Sequence, residues 1–115
     1  MVANRGELNG RRIVSARTLA EFTDLEPGAK FALGWEARCG GAERLGGCDG
    51  PLWIAHTGWT GTFIAVDPAT RVWMVLLTNR TYEPRAPNRI QQLRQEVFAN
   101  AVRTTDPQLA SIGEP

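Results

Sequence analysis

The sequence predicts an α+β fold, an antiparallel β-sheet with a C-terminal helix packed on one face. Two observations carry that expectation. Leu52 to Thr57, Thr62 to Asp67 and Arg71 to Thr78 follow one another as short apolar segments parted by turn residues, the pattern of a β-meander. After them Ile90, Leu93, Val97, Phe98 and Ala101 recur at spacings of three, four, one and three, a single apolar stripe at helical period.

The length of 115 residues allows at most one domain, large enough to bury a core. Hydrophobic residues make up 43% and charged residues 22%, which places the chain among soluble globular proteins rather than disordered ones. Net charge is +1 and the twelve arginines and one lysine are scattered, so no footprint for nucleic acid or an anionic membrane is present. The longest apolar run, Val72 to Leu77, is far too short to span a bilayer. Met1-Val2-Ala3 shows neither the basic start nor the apolar stretch of a signal peptide.

The elements follow in order. Met1 to Gly6 reads as the last turn of a helix closed by glycine. Ser15 is a good N-cap for a short helix over Ala16 to Phe22, and Thr18 with Glu21 also fits a capping box. Leu19 and Phe22 share one face and dock that helix, and Pro27-Gly28 ends it. Lys30 to Arg38 is a strand with Phe31, Leu33 and Trp35 alternating on one face. Gly40 to Gly50 holds five glycines in eleven residues and reads as a loop. The meander follows, with Pro68 at a turn position between its second and third strands. In its third strand Trp73, Val75 and Leu77 alternate with Val72, Met74 and Leu76, so both faces are apolar and cover is expected on both sides of the sheet. Tyr82 to Pro87 is a proline-broken loop, and Asn88 caps a final helix ending near Arg103. Trp35, Trp53 and Trp73 are expected in the core, Asp67 and Asn79 at turns and strand ends.

Cys39 and Cys48 are the only cysteines. They could close the glycine-rich loop as a disulfide worth about 2–3 kcal/mol, or stay as thiols. With one distant histidine they make a poor metal site, because zinc takes three or four protein ligands. Neither a metal nor a cofactor is expected.

The chain's single histidine stands where the first meander strand runs into a glycine-bounded corner, His56-Thr57-Gly58-Trp59-Thr60-Gly61. This stretch resembles the third motif of the penicillin-recognising serine hydrolases, the family of class C β-lactamases, D,D-peptidases and related esterases, where Lys-Thr-Gly or His-Thr-Gly lies on an inner strand. Leu33-Gly34-Trp35, Ile64-Ala65-Val66-Asp67-Pro68 and Val75-Leu76-Leu77-Thr78-Asn79-Arg80 are similar to the family's flanking strands. The resemblance covers residues 1–103 as the C-terminal part of that domain and leaves 104–115 as a loose tail.

It implies a role for each motif residue. His56 takes the basic position that polarises the nucleophile, and a histidine there carries only part of a charge near neutrality. Thr57 offers a hydroxyl to a substrate carboxylate or carbonyl. Gly58 leaves room for substrate along the strand edge. The backbone N–H of Trp59 is an oxyanion donor, and one such donor can contribute about 2.7–4 kcal/mol to a transition state. The implied substrate is a small ester, amide or peptide-like molecule, the implied compartment periplasmic or extracellular.

Two motifs of the family are absent from these residues. Ser15 and Ser111, the only serines, are followed three positions later by Thr18 and Glu114, so Ser-x-x-Lys is missing. Tyr82, the only tyrosine, leads into Glu83-Pro84, so Tyr-x-Asn is missing too. The chain is expected to be one wall of a hydrolase site without its nucleophile. A non-catalytic interaction module, or a fragment completed by another chain that carries the helical region, are the competing expectations.

Overall fold

Residues 1–26, 29–40, 43–44, 47–48, 52–82 and 87–105 are described in a computed structural model of the chain, with backbone alone for 43, 44, 47, 48 and 105. Five strands form one antiparallel sheet in the order β3 (Phe31–Ala32), β4 (Trp35–Cys39), β7 (Leu52–Thr57), β8 (Phe63–Asp67), β9 (Val72–Leu76). Two short hairpins stand outside it, β1 (Glu7–Leu8) with β2 (Arg11–Arg12) and β5 (Glu43–Arg44) with β6 (Gly47–Cys48). Helix α1 covers Ala16–Thr23 and helix α2 covers Ile90–Thr105. The fold is α+β, with the C-terminal helix on one face of the sheet, as the sequence predicts.

The turns explain how so much strand fits into so few residues. Asn9 and Gly10, both with positive φ (50° and 74°), are the two central residues of the first hairpin. Upstream, a 3-10 turn over Val2–Asn4 ends at a left-handed Arg5. Gly6 follows at φ +93°, where a Cβ would stand 2.1 Å from the Val14 carbonyl oxygen. The N-terminal glycine is therefore required, although the turn before it is 3-10 rather than α-helical. Ser15 caps α1 as expected, its Oγ accepting from the Thr18 N–H at 3.0 Å.

The segment Lys30 to Arg38 is not one strand. Ala32 pairs with Trp35 across a two-residue loop, Leu33-Gly34, in which Gly34 takes φ +80°. The alternation of Phe31, Leu33 and Trp35 imitates a strand, but glycine at the second central position lets the chain reverse. The glycine-rich stretch expected as a loop contains the β5–β6 hairpin; Cys39 is disulfide-bonded, and the Cys48 side chain lies outside the described residues. So do residues 106–115 of the expected tail, while α2 runs two residues past Arg103.

The core lies between the sheet and α2. Trp53, Ala55, Phe63 and Ala65 are buried with Val102, and Phe98, Ala101, Val72, Met74 and Leu76 pack against them. Phe98 stands edge-on to Trp53 at 5.4 Å and to Phe63 at 6.2 Å between ring centroids. Each such pair contributes about 0.5–1.5 kcal/mol beyond its buried area.

Two expectations about burial change. The helical stripe passes through Ile90, Arg94, Phe98, Ala101 and Val102, whereas Leu93 is exposed. The opposite face of the sheet is covered only in part. Ile54 and Val66 are buried there, with the Val2–Asn4 turn against β8, but Leu52, Trp73, Val75 and Leu77 are exposed. Trp73 is therefore not a core residue in this chain. Its strand is apolar on both faces as the sequence indicates, and nothing among the described residues covers the second.

Candidate functional site

Strand β7 carries the candidate residues into the corner. Its side chains alternate, so Trp53 and Ala55 point to α2 and His56, which follows Ala55 and pairs across the ladder with Ile64, lies on the opposite face. His56 is exposed. Thr57 falls on the α2 side, paired with Phe63, and its hydroxyl donates to Glu36 Oε1 at 3.4 Å, at the weak limit of a hydrogen bond. Glu36 is in turn held by Arg38 at 2.7 Å.

The ladder between β4 and β7 spans Leu52 to Ala55, while the one with β8 continues to Thr57. Among the described residues, β7 from His56 onward therefore has a strand partner on one side only. Gly58 to Gly61 then make a tight turn, the Gly61 N–H donating to the Gly58 carbonyl at 3.1 Å and the Gly58 N–H to the Thr62 carbonyl at 2.8 Å. The turn demands glycine at both ends. A Cβ on Gly58 would meet Thr62 Oγ1 at 2.0 Å, and Gly61, at φ +102°, would meet Thr78 Oγ1 at 2.4 Å. Trp59 at the turn's tip is 80% exposed, and its N–H has no acceptor among the described residues.

Arg94 is the residue that the apolar stripe conceals. Buried on α2, it donates through Nε to the Gly61 carbonyl at 3.1 Å and through Nη2 to those of Gly58 and Thr62 at 2.9 and 3.0 Å. Desolvation lowers its pKa from the ordinary arginine value, and the nearby Arg80 lowers it further. Arg80 binds the same corner from outside, its Nε donating to the Trp59 carbonyl at 2.6 Å and its N–H to that of Thr60 at 2.8 Å. Every carbonyl from Gly58 to Thr62 thus accepts at least one bond from the protein. A usable signal was in the sequence: an arginine at the helical position where the stripe of Ile90 and Phe98 calls for an apolar side chain.

Among the described residues, no group of His, Cys, Asp or Glu could hold a metal ion, and no helix is long and apolar enough to cross a membrane. A cleft of ≈ 580 Å³ opens between the end of β9 and the first turns of α2. It borders Arg80 but none of His56, Thr57, Gly58 or Trp59, and the residues joining its walls, 83–86, lie outside the described ones.

Comparison with known proteins identifies the family. Residues 1–98 match the Beta-lactamase family. A Salmonella gallinarum protein named "Putative D-alanyl-D-alanine carboxypeptidase" is 33% identical over 89 residues, 75% of this chain and 21% of its own length. Proteins of the same name from Salmonella paratyphi B and Salmonella newport are 34% identical over 90 residues, with the same shares covered. The chain thus spans about a fifth of the length of these curated relatives. No solved structure matches it. With its antiparallel sheet, its C-terminal helix and a match over most of its length, the chain belongs to the β-lactamase-related family of penicillin-recognising serine hydrolases.

Proposed function

We propose that this chain forms one wall of the active site of a serine hydrolase that cleaves an ester or amide through an acyl-serine intermediate. The observation that carries the reading is the juxtaposition at the end of β7. An exposed histidine meets, at a turn whose carbonyls are all held, a strand edge and an N–H that have no partner among the described residues. In this reading a serine outside these residues attacks the substrate carbonyl, and the Trp59 N–H receives the developing oxyanion. His56 lies on the face of the sheet opposite α2, and in this reading the nucleophile approaches from that face. The bond from Thr57 to Glu36 is long enough to yield to a substrate carboxylate or carbonyl. The relatives' name supports a peptide ending in a D-amino acid as the substrate class.

The test has two parts. The 115-residue chain alone is expected to show no turnover of p-nitrophenyl esters or D-alanyl-D-alanine peptides, and no labelling of Ser15 or Ser111 by a fluorophosphonate probe. The coding sequence upstream is then read and expressed together with this chain. A continuous frame carrying Ser-x-x-Lys, with turnover that Thr57→Ala lowers at least tenfold, is the expected result. A stop codon directly upstream, or labelling of either serine in the isolated chain, would overturn the proposal and favour an interaction module.

A further inference from the structure

The turn that carries Trp59 is held by a cation from the far side of the sheet. Gly58, Gly61 and Thr62 all present their carbonyls to Arg94, which reaches them from α2, more than thirty residues away in sequence. The peptide linking Gly58 to Trp59 is trans, so its C=O and N–H point in opposite directions. Fixing the Gly58 carbonyl towards Arg94 therefore fixes the Trp59 N–H away from it. The next peptide is fixed as well, because Arg80 Nε holds the Trp59 carbonyl at 2.6 Å. With the planes on both sides of Trp59 held, its N–H direction is set by two arginines, neither of which needs to touch a substrate. A cation at the carbonyl also polarises the peptide and makes its N–H a stronger donor.

We infer that Arg94 is a positioning residue, which orients the Trp59 N–H as an oxyanion donor by clamping the Gly58 carbonyl from within the core. The inference rests on the reading of Trp59 as that donor. The geometry also explains why a fully charged side chain occupies the middle of an apolar stripe. Lysine, whose three donors share one nitrogen at the end of a flexible stem, cannot reproduce a planar fork whose separate nitrogens serve three carbonyls. The bond from the Gly61 N–H to the Gly58 carbonyl shapes the turn, but at 3.1 Å it leaves the carbonyl's other lone pair for the guanidinium.

The experiment is ¹⁵N relaxation on the full 115-residue chain, comparing wild type with Arg94→Lys and Arg94→Met. In the wild type the Trp59 N–H is expected to have the order parameter of rigid backbone, about 0.85, despite an 80% exposed side chain. In folded variants it is expected to fall below about 0.6, while Ile54 and Val66 in the sheet keep their wild-type values. A general structural role would instead lower stability and leave the Trp59 value unchanged in the folded chain, and that result would overturn the inference. If neither variant folds, the wild type still decides: a Trp59 order parameter below about 0.6 overturns the inference, and a rigid one supports it. Because no substrate is involved, failure here is separable from failure of the hydrolase reading. An Arg94-dependent, rigid Trp59 in an inactive protein would sink only the latter.

Discussion

Arg80 holds Trp59 at both ends of the residue: its Nε donates to the Trp59 carbonyl at 2.6 Å, and its guanidinium carbon lies 4.9 Å from the centroid of the indole ring. The hydrogen bond to a charged donor sets the backbone, and the cation–π contact sets the ring. A double-mutant cycle separates them, since Trp59→Ala removes the ring and leaves the carbonyl. Coupling between Arg80→Met and Trp59→Ala is expected at about 0.5–1 kcal/mol by urea unfolding, the range of an exposed cation–π pair. A coupling indistinguishable from zero, within about 0.3 kcal/mol, would show that the ring contact contributes nothing.

The glycine at position 58 is imposed by one neighbour. Gly58→Ala would place its Cβ 2.0 Å from Thr62 Oγ1 and 3.3 Å from Thr62 Cβ. It is expected to lower stability by about 1–3 kcal/mol, the usual effect of forcing atoms into a packed site. Adding Thr62→Ala removes the closer atom and leaves the 3.3 Å contact and an ordinary one of 3.7 Å to the Thr62 carbonyl oxygen, so the double variant should recover at least half of the loss. Simple additivity of the two substitutions would show that the strain resides in the backbone instead.

The turn between β8 and β9 contains a buried carboxylate with an entirely local task. Asp67 accepts from the Ala69 N–H at 2.9 Å and from Thr70 Oγ1 at 2.6 Å, and its carbonyl accepts from the Arg71 N–H at 2.9 Å. Asp67→Ala is expected to lower stability by about 1.5–3 kcal/mol, as for loss of hydrogen bonds to a charged group. Arg71 closes the same turn at φ +65°, a region costly for a residue with a Cβ. Arg71→Gly should therefore raise stability by about 0.5–1 kcal/mol, less than the full strain because glycine also frees the unfolded chain. Thermal unfolding of both variants checks the opposite signs.

The parts of the fold legible in the sequence were those governed by local pattern. The β7–β8–β9 meander follows from apolar runs and turn residues, and Ser15 declares its cap through its position before the helix. What escaped depends on contacts across the chain. Arg94 joins the buried stripe because the carbonyls of a distant turn satisfy its donors, and periodicity alone assigns the place to Leu93. The reversal at Gly34 escaped because its neighbours alternate as strand residues do, and a glycine's φ is not written in the pattern. His56, Thr57, Gly58 and Trp59 are consecutive, so the sequence alone places them at one corner. That Thr57 and His56 occupy opposite faces follows from strand alternation, but the engagement of Thr57 by Glu36 required the β4–β7 register.

The order of the main sheet is the order of the chain, so each of its strands pairs with the strand that precedes it in that sheet. Pairings of this kind close short loops and carry low contact order, which favours zipping by successive hairpins. Register is consequently stored in the turns rather than in remote parts of the molecule. A one-residue slip after Gly58–Gly61 would turn the β8 side chains over, sending Phe63 and Ala65 to the face opposite α2 and Ile64 into the core. The glycines and the two arginines at that corner thus act as a ruler for half of the sheet, and an error in measuring there would be inherited by every strand that folds after it.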